Sequence, residues 1–192
     1  MIGDSSVGKN SFFRAFCDGF FFESLNPIIG IDFKKKELLI EGLKVILKII
    51  NTAGQERFRN LTIPYCRNCD GVFIFYDISN SKTFNDLDSL LKEIEKHASK
   101  DIKKYLIGTK CDLEDKREIT FEQGKKYAEN NRMKFFETSA KKNINVSEPF
   151  IEMTKEFIEE EKKKKKELKE KLNKKLIQNI KKIPGLSKFI NY

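Results

Sequence analysis

Along this chain, short unbroken apolar runs alternate with longer segments whose apolar residues recur every three or four positions. "SFFRAFCDGF" (11–20) has the spacing of a helix that follows a glycine-containing loop. "FKKKELLIEGLKVILKII" (33–50) reads as two strands turned back at Glu41-Gly42. "GVFIFYDI" (71–78) and "KYLIGTK" (104–110) are continuous apolar runs, the pattern of strands covered on both faces. "SKTFNDLDSLLKEIEKHA" (81–98) places Phe84, Leu87, Leu90, Leu91 and Ile94 at helical spacing. "FEQGKKYAENN" (121–131) is a further helix, "MKFFETSA" (133–140) a short last strand, and the pattern is helical from Ser147 onward. Alternation of this kind predicts an α/β fold: a parallel sheet with helices on both faces. Ligands then bind beyond the carboxyl ends of the strands. There are no internal repeats.

The first strand is the weak point of this scheme. "GDSSVGKN" (3–10) is one residue short of a phosphate-binding loop, G-x-x-x-x-G-K followed by Ser or Thr. Gly3, Gly8 and Lys9 fit, and Asn10 stands where the hydroxyl belongs. Such a loop leaves a strand of about five residues. Here only Met1 and Ile2 precede it, so the expected first strand is cut short.

Composition sharpens the domain plan. Hydrophobic residues make up 39% of the 192 and include 17 Phe, enough for a sizeable core. The net charge is +9, but residues 159–192 hold 12 Lys against 5 Glu. The basicity is therefore a tail on a near-neutral domain, and the boundaries expected are 1–158 and 159–192. No apolar run is long enough to span a bilayer, and no signal-peptide pattern opens the chain. Cys17, Cys66, Cys69 and Cys111 are scattered, as in a cytoplasmic protein with reduced thiols. "CRNC" (66–69) lacks the second pair or the histidines a metal site needs. His97 lies in a polar helical stretch and is expected at the surface.

Three more loops join the first in order. "NTAGQERF" (51–58) carries a D-x-x-G-like segment with Asn51 in the Asp position. "GTKCDL" (108–113) is similar to a guanine-reading N-K-x-D with Thr109 in place of Asn, and "ETSAK" (137–141) is similar to the loop behind the base. With "IIGIDF" (28–33), "AGQERFRNLTIPYCRNCDG" (53–71) and "FYDISNSKTF" (75–84), the chain resembles a small GTPase of the Ras superfamily, most closely the Rab family, from Gly3 to about Phe157. The resemblance implies a P-loop small GTPase fold, a mostly parallel six-stranded sheet with the first strand truncated, followed by a long basic helix. It implies GTP or GDP as the bound nucleotide and a role in vesicle transport.

The same resemblance assigns residues. Gly3, Asp4, Ser5, Ser6, Val7, Gly8, Lys9 and Asn10 form the phosphate loop. Its backbone N–H groups and the helix N-terminus carry the positive potential a phosphate needs. Asp112 would accept from guanine N1–H and the exocyclic amine, and Lys110 would lie over the base. Ser139, Ala140 and Lys141 back the base, Phe21 packs edge-on against it, and Gly54 and Gln55 belong to the catalytic loop, Gln55 positioning water. Thr109 for Asn is expected to loosen the bracing between loops.

Three substitutions coincide. In the family, Mg2+ is held by the P-loop hydroxyl, by a switch I Thr, and through water by the D-x-x-G Asp. The matching residues here are Asn10, Ile28 and Asn51. Mg2+ demands near-octahedral oxygen. Neutral amides and an aliphatic side chain put Mg2+ in doubt, and with it GTP hydrolysis. Three readings stay open: a nucleotide-binding protein with impaired hydrolysis, an active GTPase with compensating ligands, and a nucleotide-independent binding module or gene fragment. Phe33, Ile50 and Tyr65 match the aromatic cluster that meets Rab effectors and exchange factors, with Ile50 in place of Trp.

No Cys follows Cys111, so the prenylation Cys that ends most Rabs is absent from this sequence. Leu168, Leu172, Leu176, Ile180 and Ile183 instead make a narrow apolar stripe on a lysine-rich helix. Such a stripe fits a partner helix or an anionic membrane surface, with the protein cytoplasmic and peripheral on endomembranes. Nucleic acid is disfavoured, because the tail has no arginine and no aromatic before Phe189.

Overall fold

A computed structural model describes residues 1–23, 30–52 and 63–181. Four parallel strands form its centre: β1 (Ile2–Gly3), then β4 (Gly71–Asp77), β5 (Lys103–Thr109) and β6 (Lys134–Thr138), side by side in that order. β2 (Ile31–Ile40) and β3 (Leu43–Thr52) form a separate antiparallel hairpin. Glu41 and Gly42 both have positive φ (51° and 75°), the two-residue turn whose twist matches the flanking strands. The helices are α1 (Lys9–Asp18), α2 (Ser81–Asn85), α3 (Leu87–His97), α4 (Phe121–Asn130) and α5 (Glu148–Lys181), with short 3-10 turns at Ile63–Asn68 and Glu114–Lys116.

All six expected strands are present, but the ladder is interrupted between β1 and β3. β1 has only two residues, which pair with Ile74 and Phe75 of β4. Two bonds at the chain start tie it to the hairpin instead. The Met1 ammonium donates to Ile50 O at 2.7 Å, and Thr52 Oγ1 donates to Met1 O at 3.0 Å. The helix expected over 81–98 is divided at Asp86, whose N–H bonds back to Lys82 O and Phe84 O. The capping side chain that starts it is Asn80, accepting from Lys82 N–H. Helix α4 begins with a reciprocal capping box between Thr120 and Gln123.

The parallel strands are buried on both faces, as their unbroken apolar runs require. Successive residues of β4 feed opposite layers. Val72, Ile74 and Tyr76 pack with Leu87, Leu90, Leu91 and Ile94 of α3 and Ala128 of α4. Phe73 and Phe75 point the other way, into an aromatic layer. There Phe12 lies 5.3 Å from Phe75, Phe73 lies 4.8 Å from Phe150, and Phe16 stacks on Phe150 at 3.7 Å. Five of the 17 Phe meet in this layer.

The chain divides into two compact units, Met1–Ile151 and Glu152–Tyr192, the division falling inside α5. In the second unit, α5 continues as a regular helix to Lys181. Among the described residues no helix is long and apolar enough to cross a membrane.

Candidate functional site

Every loop singled out in the sequence and described here leaves the carboxyl end of a parallel strand. The first leaves β1. Gly3 has to be glycine, because a Cβ there would lie 2.7 Å from Phe75 O and 2.9 Å from Phe75 Cβ. Gly8, at φ 94°, takes the left-handed conformation that turns the chain into α1, with no side-chain cap on the helix N-terminus. Val7 is fully buried, whereas Ser5 and Ser6 are exposed at the loop tip. Lys9 is buried, and its ammonium reaches back across the loop to Gly3 O at 2.7 Å and Asp4 O at 2.5 Å. Phe21 lies just beyond α1, half-buried.

The second cluster sits after β5 and β6. Lys110 takes a left-handed φ of 60°, and Leu113 N–H closes the turn onto Lys110 O at 2.8 Å. The Lys110 ammonium pairs with Asp77 Oδ2 at 2.5 Å, and Asp77 Oδ1 accepts from Ser79 N–H and Ser79 Oγ. Ser139 is fully buried and donates to Asp112 Oδ1 at 2.5 Å, while its oxygen accepts from Lys142 N–H at 3.0 Å. Asp112 and the Ser139-Ala140 loop are thereby linked directly. Ala140 is half-buried and Lys141 exposed.

Thr109 departs from expectation. Its hydroxyl lies 2.5 Å from Val7 O and 3.0 Å from Tyr76 O. The bracing between the first loop and β5 is therefore present, carried by a hydroxyl instead of an amide. The side chain is only 4% exposed, so these bonds form out of water.

The first loop also meets β3. Asn51 is fully buried, and its Nδ2 donates to Asn10 Oδ1 at 3.4 Å. Asn51 Oδ1 is buried with no hydrogen-bond partner. Two neutral amides therefore face each other, and no group of three or more His, Cys, Asp or Glu clusters anywhere among the described residues. Ile28, Gly54 and Gln55 lie outside the described residues.

Of the three hairpin-side residues, Phe33 and Ile50 are direct cross-strand partners, with the Lys48 ammonium 5.2 Å from the Phe33 ring centre. Phe33 is 58% exposed; Tyr65, in the 3-10 turn, is 51% exposed. His97 is half-buried at the end of α3, its Nδ1 3.0 Å from Glu93 O. All four cysteines are free thiols.

One pair escaped the sequence reading. Arg117 forks onto Glu137, Nη1 to Oε1 at 2.7 Å and Nη2 to Oε2 at 2.8 Å, and its Nε also donates to Glu114. Glu137 lies in β6, two residues before Ser139, and Arg117 ends the 3-10 turn that follows Asp112. The pair thus ties the turn after Asp112 to the strand that leads into the Ser139-Ala140 loop. Only the position of Glu137 at the head of "ETSAK" hinted at it. Beside it, burial pushes the Cys111 thiol up to about 11, with the Glu137 and Asp112 charges adding to the effect.

A glycine loop leading into a helix, with further loops gathered at the same edge of a parallel sheet, defines an α/β domain of the P-loop class. The profile of the Ras family matches residues 1–159. The chain is 42% identical over 157 residues to the GTP-binding protein ypt2 of Schizosaccharomyces pombe, covering 82% of this chain and 78% of that one. It is 43% identical to the Ras-related protein Rab-8B of Dictyostelium discoideum, over 82% of this chain and 77% of that one. To the Ras-related protein Rab-10 of Diplobatis ommata it is 41% identical, over 83% and 80% of the two chains. The chain belongs to the Ras family, among the Rab small GTPases.

Proposed function

We propose that this Rab-family chain binds guanine nucleotide, needs little or no Mg2+ to do so, and hydrolyses GTP poorly, acting in vesicle transport chiefly as a binding protein. The base-reading half keeps Lys110, Asp112, Ser139 and Ala140, and Thr109 stands in for Asn with a hydroxyl bond of its own. Asp112 keeps Oδ2 clear of the Ser139 bond, and each carboxylate oxygen has two acceptor sites. The carboxylate can thus accept from guanine N1–H and the exocyclic amine together, while Ala140 N–H donates to the guanine oxygen. Lys110, steadied by Asp77, lies along the base and ribose. Lys9 exchanges its bonds to Gly3 O and Asp4 O for the outer phosphate oxygens when nucleotide enters.

The phosphate end carries the difference, and the Asn10–Asn51 amide contact is the observation on which the reading rests. Mg2+ in such a site draws on hard, preferably anionic oxygen. Here the Asn10 oxygen already accepts from Asn51 Nδ2, and Asn51 brings no charge. This donor set does not suit Mg2+. With Lys9 but no metal to neutralise charge on the outer phosphates, phosphoryl transfer loses a major source of stabilisation. Gln55 would then have water to orient but little barrier lowering to exploit. Exchange factors or effectors of Rab type meet the surface marked by Phe33, Ile50 and Tyr65, where Ile50 supplies less contact area than the expected Trp.

The deciding experiment is GDP titration of the purified chain with Mg2+ and then with chelator, alongside single-turnover GTP hydrolysis. The expected result is an affinity that chelation changes less than about threefold and hydrolysis far below that of the ypt2 protein assayed in parallel. A large loss on chelation with ordinary hydrolysis would identify an active GTPase with other metal ligands. Absence of binding in both conditions would identify a nucleotide-independent binding module.

A further inference from the structure

We propose that residues 166–179 of α5 form a lipid-docking face, specific for an anionic membrane surface. Leu168, Leu172 and Leu176 are 59%, 57% and 59% exposed on this helix. Isolated exposed leucines are ordinary, but these are aligned. At about 100° per residue they fall within an arc of roughly 80°. Lys171 and Lys175 flank that arc on one side and Lys169 on the other, each within about 60° of its edge. The two acidic residues of the segment, Glu167 and Glu170, lie on the opposite half. The segment holds five Lys against these two Glu.

This arrangement selects among occupants. A second copy of the helix would want apolar residues alternating three and four apart, with opposite charges beside the seam. Steps of four drift about 40° each and cannot hold a straight seam. Lysine on both flanks would also set like charges against each other. An anionic lipid surface accepts both features. The leucines enter the boundary between headgroups and acyl chains, and the lysine stems spread sideways to put their ammonium groups among the phosphates. Helices that lie in the interface plane combine an apolar face and a lysine-rich polar face with low overall hydropathy.

The test is co-sedimentation of the full chain with phosphatidylcholine vesicles, with and without phosphatidylserine, at low and physiological salt. Two variants accompany it, Leu172→Gln with Leu176→Gln, and Lys171→Gln with Lys175→Gln. All four side chains are exposed, so the fold should be unaffected; circular dichroism and the thermal midpoint check this. The expected result is binding only to phosphatidylserine vesicles, weakened at least about tenfold by the leucine pair. Each lysine removed should weaken it by about fivefold. Three outcomes would overturn the proposal: no vesicle binding, binding indifferent to the leucines, or leucine-dependent self-association without vesicle binding. GDP titration of the same samples is a separate readout. The lipid-docking face stands or falls independently of the nucleotide site.

Discussion

The Thr109 hydroxyl sets much of the site's geometry. It ties the first loop to β5 through Val7 O, at the depth where Asn was expected. Thr109→Val keeps the shape and removes the donor, leaving the Val7 carbonyl without this partner. A loss of about 1–2 kcal/mol in urea unfolding is expected, together with faster GDP release. Unchanged release with reduced stability would make the tether purely structural. Nearby, Cys111 supplies a pH-dependent readout of the same region. Its thiol, raised from 9.0 to about 11 by burial first and by Glu137 and Asp112 next, stays protonated at neutral pH. Iodoacetamide should label it about 100-fold more slowly than an ordinary thiol. Labelling should rise only as pH approaches that value, because only the thiolate attacks. Rapid labelling at neutral pH would mean that the loop opens readily. The resemblance of two motifs pointed to Asp112 and Ser139 on separate loops, and the structure joins these by a hydrogen bond. The replacement bond of Thr109 was not legible in the sequence, because residue type at one position does not reveal which carbonyl a short hydroxyl will find.

Among the elements, the Arg117–Glu137 fork is the contact most closely coupled to the site. Both side chains are mostly buried, 15% and 10% exposed, and the bond pair is bidentate, the strong form of this interaction. Arg117→Ala should cost about 2–4 kcal/mol, largely because Glu137 is left buried beside no cation. GDP release should accelerate, since the clamp holds the Asp112 and Ala140 loops in register. A double-mutant cycle with Glu137→Gln measured by thermal unfolding checks this; additive effects would mean that the fork contributes nothing of its own. The sequence marks elements closely where an unbroken apolar run or a helical period is strong, as in β4, β5 and α3. Two features escaped. The break at Asp86 leaves the apolar spacing of 81–98 intact, so no pattern marks it. The ladder gap between β1 and β3 depends on the two-residue length of β1, which leaves too few N–H and C=O groups to pair on both sides.

At the scale of the whole molecule, Asn10 and Asn51 bring two uncharged amides together at the junction of the first loop and β3. A buried carboxylate at position 51 would need a cation to offset its desolvation. A buried amide carries no charge to offset, and Asn10 accepts from its Nδ2, leaving Oδ1 without a partner. The two asparagines therefore make sense together, and restoring one of them should be harmful. Asn51→Asp alone is expected to lower stability by about 2–4 kcal/mol, or the midpoint by about 5–15 °C, since position 51 is fully buried. Asn51→Asp combined with Asn10→Ser recreates an anionic, hydroxyl-bearing pair. Its midpoint with GDP should then rise on adding Mg2+ and fall again with chelator, while the unaltered chain responds to GDP equally in both. The two curves are read from one thermal-shift series. A Mg2+ response already present in the unaltered chain would overturn the metal-independent reading outright. No response in the double variant would show that Ile28 or another part of the site, and not this pair, sets the metal preference.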